Sequence, residues 1–368
     1  MYGYGPPLLR WEQQRRLRLG ILDTMWMVYG ANGYTGRLIA QVAGRRGERP
    51  VLAGRSAEKL EPLARELGLE HRVVPLDDQD RLCEALGDVD AVVHCAGPFS
   101  LTSEPMVDAC LATNTHYVDI TGEIDVFERI FARDGEARRA GIALLPGAGF
   151  DVVPTDGVAA RLSRELPDAI ELELAFVVGG GASPGTMKTT VEGITTGGRA
   201  RIDGTLVTVP LGHRTRVAEF ASRPRRVGSV PWGDLSTAFR STGIPTITTY
   251  TVVPEFVPTA QGLLAPLFKA AVAQEITKRV IGLLPGPSER TRIASRCEVW
   301  GQVRNAAGRK LSMTLTGPNA YQLTADAAVR AVTKLIAGEA STGAHTPSTA
   351  FGPDFVAELD DVHLSPVG

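Results

Sequence analysis

The run Val28-Tyr29-Gly30-Ala31-Asn32-Gly33-Tyr34-Thr35-Gly36-Arg37 constrains this chain more than any other segment. Trp26 to Tyr29 reads as a short buried strand, and Leu38, Ile39 and Val42 open a helical apolar face behind it. Three glycines at such a junction permit a tight turn, close approach of backbone to phosphate, and close helix–strand contact. The helix N-terminus adds N–H groups and a partial positive charge. The G-x-x-G-x-x-G spacing therefore predicts a dinucleotide pyrophosphate site at Gly30, Asn32, Gly33, Tyr34, Thr35 and Gly36.

The next segments sharpen that expectation. Pro50 to Gly54 reads as the second strand and ends in Arg55-Ser56. An NAD site usually carries an acidic residue here for the ribose hydroxyls. Arg55, with Ser56, would instead pair with a 2′-phosphate, so the cofactor expected is NADP. Arg72 to Leu76 reads as a third strand leading to Asp77, a carboxylate placed for the adenine amino group. Asp90 to Cys95 is a fourth strand that breaks at Ala96-Gly97-Pro98-Phe99, followed by a helix from Glu104 to Thr113. His116 to Ile120 is a fifth, running into Thr121-Gly122-Glu123. Alternating strands and helices predict a Rossmann-type, doubly wound parallel sheet, whose ligands lie beyond the strand C-termini. Ala96, Gly97, Pro98, Phe99, Asp119 and Glu123 then surround the nicotinamide.

After Leu145 the pattern changes. Strands are expected at Glu171 to Val178, Thr205 to Val209, Arg214 to Phe220 and Thr246 to Val253. Two more, Arg296 to Val303 and Lys310 to Leu315, flank the hairpin signal Asn305-Ala306-Ala307-Gly308. Runs of strands with few helices predict an α+β second domain with a largely antiparallel or mixed sheet. The chain of 368 residues then divides into an extension at 1–24, a cofactor domain at 25–155, a substrate or dimerisation domain at 156–316, and a helical segment at 317–368 that returns to the first domain. The extension is arginine-rich, with no apolar core for a secretory signal, and is expected to be poorly ordered. In Gly179-Gly180-Gly181-Ala182-Ser183-Pro184-Gly185-Thr186, Ser183 and Thr186 open a helix carrying Lys188. They either hold a substrate carboxylate or thioester oxygen, or simply cap that helix. Leu264, Phe268, Val272, Ile276 and Val280 mark an amphipathic helix that packs on the second domain or forms a lid.

Composition and missing motifs exclude several classes. A formal charge of −2 gives no reason to expect nucleic acid as partner, and no apolar run approaches the ~18 residues of a membrane span. Cys83, Cys95, Cys110 and Cys297 lack a C-x-x-C pair and read as reduced thiols of a cytoplasmic protein. Gly181-Ala182-Ser183-Pro184-Gly185 matches the hydrolase elbow G-x-S-x-G, but Pro184 has no N–H for an oxyanion hole. There is no H-E-x-x-H, no P-loop lysine, no clustered metal ligands, and no tyrosine with a lysine four residues on. No metal site is expected.

The glycine turn, Leu52-Ala53-Gly54-Arg55-Ser56, Gly97-Pro98-Phe99, Tyr117-Val118-Asp119-Ile120-Thr121-Gly122-Glu123 and Gly149-Phe150-Asp151-Val152-Val153-Pro154-Thr155-Asp156 together resemble the saccharopine dehydrogenase-like reductases, nearest to the actinobacterial trans-acting enoyl reductases. Ala148 departs from the cysteine common in the latter, and Pro184 from a glycine. The resemblance implies hydride transfer from NADPH to an activated C=C (enoyl) or C=N (imine) bond of a small or acyl-type, lipid-like substrate. It also implies a possible homodimer through the second domain. Phe150 and Asp151 are expected to meet that substrate. Asp119, Glu123 and Lys188 are the candidate proton donors, although a carboxylate here equally serves as a cap. Tyr117, His94 and His116 read as core residues. The alternative function is a non-catalytic NADP-binding redox sensor.

Overall fold

The computed structural model describes residues 24–179, 197–210, 212–252, 290 and 294–368. Residues 1–23, the motif with Ser183, Thr186 and Lys188, and the amphipathic run from Leu264 to Val280 lie outside the described residues. The first half alternates as expected: β1 (Trp26–Tyr29), α1 (Tyr34–Arg45), β2 (Val51–Gly54), α2 (Ala57–Leu67), β3 (His71–Val73), α3 (Gln79–Leu86), β4 (Ala91–His94), α4 (Phe99–Thr113), β5 (His116–Asp119), α5 (Ile124–Ala132), α6 (Asp134–Ala140) and β6 (Ala143–Leu145). Its strands pair in parallel in the order β3-β2-β1-β4-β5-β6, with Gly343–Ala344 added on β6. Trp26 and Val28 pack into one layer, Met27 and Tyr29 into the other. Because both faces are covered, the strands read as continuous apolar runs rather than alternation. The order reverses between β1 and β4, the position at which open α/β sheets bind ligands beyond the strand C-termini.

The second half continues with α7 (Val153–Glu165), β7 (Ala169–Val178), β8 (Gly198–Ile202), β9 (Thr205–Val209), β10 (Thr215–Glu219), β11 (Pro224–Ser229), α8 (Asp234–Thr242), β12 (Thr246–Thr251), β13 (Cys297–Asn305) and β14 (Lys310–Gly317). The sheet runs β10-β11-β12-β7-β13-β14, with the β8–β9 hairpin on β12. It is mixed: β12 lies parallel to β7, while β7–β13 and β13–β14 are antiparallel. Strands β8 and β11 escape the hydrophobic pattern because arginines occupy them. Arg201 of β8 is nevertheless buried, its guanidinium donating to Gly204 O at 2.7 Å and Glu128 Oε1 at 2.8 Å and stacking on Phe239.

The C-terminal segment binds the two halves together. Helix α9 (Ala320–Ile336) packs on α1, β4 and β5. After β15 (Gly343–Ala344), α10 (Pro347–Phe351) packs on α7, and β16 (His363–Leu364) extends the second sheet on β14. Asp156 is wholly buried among these helices, accepting from the Ser241 hydroxyl of α8 and from Ser348 N–H at 2.8 Å.

Candidate functional site

At the turn after β1, Gly30 has φ +80°, and a Cβ there would lie 2.9 Å from Ala96 N. A Cβ on Gly36 would strike the Gly30 carbonyl oxygen, so α1 packs on the turn only through glycine. Gly30 N–H donates to Ala53 O at 2.8 Å, holding the turn on β2. No side chain caps α1, and no acidic residue lies in its first turn. That helix start suits an anion such as a pyrophosphate. The Asn32 side chain reaches the end of β2, 3.0 Å from where a Cβ on Gly54 would stand. Arg55 is exposed just beyond it, and Ser56 begins α2 without a side-chain cap bond. Burial pushes the Tyr29 phenol up to about 12, with the charge of Arg55 opposing the shift and that of Asp77 adding to it. Tyr34 meets Tyr321 of α9 edge-on, with ring centroids 4.9 Å apart.

Beyond β4 and β5, buried polar groups fix the backbone. The Gly97–Pro98 bond is cis, and α4 starts at Phe99, five residues before the expected Glu104. The reason lies in another segment: Glu123 Oε1 accepts from Phe99 N–H at 2.9 Å and Oε2 from Ser100 N–H at 2.8 Å. Glu123 thus caps α4 rather than the helix it precedes. Asp119 is wholly buried and accepts from the Tyr117 hydroxyl (2.6 Å), Thr121 N–H (2.9 Å) and Gly147 N–H (2.8 Å). Burial raises its carboxyl to about 6 against those donors. Both expected acids reach the strand edge, and each holds backbone N–H groups there. Tyr117 is core, as its strand position implies, and orders Asp119.

The second domain meets this edge through Trp232 and Phe176. The Trp232 indole N–H donates to Asp151 O at 2.9 Å, its ring lies 4.3 Å from that of Phe176, and Phe150 meets Phe176 edge-on at 6.2 Å. Phe150 and Asp151 are thereby brought to one aromatic wall. The Asp151 carboxylate presses on Gly122, where a Cβ would lie 2.6 Å from Oδ2. Asp151 is half-buried, and burial raises its carboxyl to about 7. Nothing in the sequence pattern pointed to Trp232 or Phe176, since they join Phe150 only when the two sheets pack.

Asp234, at the start of α8, is wholly buried, and its carboxylate has only a weak contact with the Thr155 hydroxyl, which donates to Val152 O at 3.0 Å. Burial raises it well above the usual carboxylate range, and the charges of Asp156 and Asp151 raise it further. Unfolded carboxyls ionise near ~3.9, so above that pH Asp234 holds a proton in the folded chain that it loses on unfolding, and its contribution to stability falls as pH rises. Between about pH 7 and pH 8 histidines are largely neutral in both states, and the buried carboxyls set the slope together with the Cys95, Cys110 and Cys297 thiols, which burial raises and which act in the same direction. Tm should therefore rise on moving from about pH 8 to about pH 7, and Asp234→Leu should flatten that slope. A slope unchanged in the variant would show that Asp234 is ionised in the fold.

No described helix is long and apolar enough to cross a membrane, and no group of metal-ligating side chains comes together among the described residues. Residues 26–145 match the family model described as the saccharopine dehydrogenase NADP binding domain. The chain is 31% identical over 150 residues to the saccharopine dehydrogenase-like oxidoreductase of Mus musculus, covering 35% of each. It is 33% identical over 153 residues to the trans-acting enoyl reductase of Mycobacterium leprae, covering 38% of this chain and 35% of that one. The matched stretch thus spans about a third of these relatives' length. The fold as a whole is similar to apo saccharopine dehydrogenase (L-Glu forming) from Saccharomyces cerevisiae, with TM-score 0.65 and 14% identity over 94% of this chain and 100% of that one. Homospermidine synthase from Legionella pneumophila, solved in complex with NAD, gives TM-score 0.63 and 10% identity over 94% and 91%. Residues 26–145 thus match the saccharopine dehydrogenase NADP binding domain, on a chain whose two-sheet fold is similar to that of saccharopine dehydrogenase.

Proposed function

We propose that this chain is an NADPH-dependent reductase of an activated C=C or C=N bond, and that Asp151 delivers the proton. The observation that carries the reading is the position of Asp151: a half-buried carboxyl raised to about 7, against Gly122 just beyond β5 and beside an aromatic cluster. Bound NADPH supplies a hydride. The residues of the chain do the rest. Arg55 and Ser56 take the 2′-phosphate, Asp77 the adenine amino group, and the Gly30–Gly36 turn the pyrophosphate. Trp232, partly exposed and backed by the buried Phe150 and Phe176 rings, would offer an apolar surface to a flat, conjugated substrate. Asp151 would give its proton to the carbon beside the one reduced in an enoyl group, or to an imine nitrogen, balancing the hydride charge and leaving Asp151 as the carboxylate. Asp119 and Glu123 act as positioning residues in this reading, because their oxygens already accept backbone N–H groups. Ser183 and Thr186 are proposed substrate ligands, with Lys188 the next proton donor in line.

The direct experiment follows NADPH oxidation with a panel of enoyl thioesters and cyclic imines. One NADPH should be consumed per bond reduced with at least one class. Tight NADPH binding without oxidation by any panel member would instead favour the redox-sensor reading.

A further inference from the structure

His94 ends β4 wholly buried, and only one of its ring nitrogens has a partner among the described residues. Nε2 lies 3.1 Å from Thr102 Oγ1, on the first turns of α4. The same hydroxyl lies 2.6 Å from Ala96 O and 3.0 Å from Pro98 O. Both carbonyls are acceptors only, so the single Thr102 proton goes to one of them. The hydroxyl must then accept from His94, which fixes the ring as the neutral tautomer with its proton on Nε2. Burial drives the imidazole down to about 3, so that state persists at all ordinary pH. Nδ1 is left as a buried acceptor with no donor. Around it stand Phe99 edge-on, Tyr29 and Tyr117, with centroids at 5.4, 5.6 and 6.2 Å.

For packing alone this is a poor choice, because an orphaned acceptor costs stability and an apolar ring would fill the same space. What the imidazole does contribute is a donor aimed at the hydroxyl that ties Ala96 and Pro98. Ala96 in turn abuts the pyrophosphate turn, its N being 2.9 Å from the place of a Gly30 Cβ. The loop so fixed stands at the point where the strand order reverses.

We propose that His94 is a positioning residue: through Thr102 it sets the Ala96–Pro98 loop in the one geometry that receives the nicotinamide half of NADPH. This rests on the proposed placement of that half beyond β4. It predicts opposite signs for stability and binding. His94→Phe removes the orphaned nitrogen, so Tm should hold or rise. NADPH affinity should fall about five- to tenfold, the effect of one lost hydrogen bond. Adenosine 2′,5′-bisphosphate, which lacks the nicotinamide half, should bind both proteins equally. Thr102→Val should reproduce the loss, and the double variant should add nothing to it. His94→Gln, whose amide N–H can donate to Thr102, should restore NADPH affinity.

Calorimetric titration of each variant with both ligands, beside thermal melts, decides the matter. A fall in Tm with equal losses for both ligands would mean that His94 only packs, and unchanged NADPH affinity in His94→Phe would overturn the proposal outright. If the unaltered protein bound the two ligands equally well, the placement of the nicotinamide at this loop would fail, and the role of His94 with it.

Discussion

Asp151→Asn is expected to slow NADPH oxidation by ~10²–10⁴-fold, the usual loss when a general acid is removed, while NADPH binds within about twofold of the unaltered affinity. Asparagine keeps the shape of the side chain against Gly122 and leaves the Asp151 carbonyl free to accept from Trp232, so the wall of the site survives. What it lacks is a transferable proton. The pH profile gives a second, independent check. Burial raises the Asp151 carboxyl to about 7, and the acid must be protonated to donate. The rate should therefore decline as pH rises through that value, and the residual rate of the asparagine variant should not. A variant with normal turnover, or with the same pH limb, would move the proton donor elsewhere. Asp119 is the less suitable candidate, since removing its carboxylate frees Thr121 and Gly147 N–H groups in a buried place and would disturb the fold before the chemistry.

Arg55→Ala is expected to weaken NADPH binding about ten- to a hundredfold and to leave NADH nearly untouched. The guanidinium is exposed at the end of β2, so no desolvation of a buried partner inflates the effect. A charge-assisted contact to a phosphate is worth ~1.5–3 kcal/mol, and ~1.4 kcal/mol is a factor of ten. Only a cofactor carrying the 2′-phosphate loses that contact. Salt should narrow the difference, because an exposed pair is screened. Equal losses for NADPH and NADH would place Arg55 on the shared part of the cofactor instead.

The parts of the site visible in the sequence are those built by neighbours along the chain. Gly30, Gly33 and Gly36 announce themselves because a turn into a helix excludes side chains at fixed spacing. Arg55 is legible for the same reason, as the residue that must follow the second strand. The limits show at Glu123. A carboxylate before a helix suggests a cap of that helix, yet its oxygens go to Phe99 and Ser100 of α4, which is also why α4 begins earlier than its apolar pattern implied. Strands β8 and β11 were invisible because Arg199, Arg201, Arg225 and Arg226 break the alternation that marks a strand. Arg201 can be buried because Glu128, on a helix of the other domain, meets its charge while Leu235 O and Gly204 O accept its remaining N–H groups.

The sequence by itself determined that a parallel doubly wound sheet comes first and a mixed sheet follows, and it set the expectation of a dinucleotide at the first turn in its phosphate-bearing form. Each of these rests on local geometry: period, glycine placement and the charge at a strand end. The tertiary structure decided which polar groups have partners and which do not. Asp119, placed at a strand edge by its position, became a buried acceptor of three donors, whereas Asp151 kept a carboxyl against Gly122 and under the aromatic wall. His94 went from an apolar strand's histidine to a donor with one empty nitrogen. A side chain's ionisation and its hydrogen bonds are set by what distant segments bring within ~3 Å, and no pattern along the chain encodes that distance.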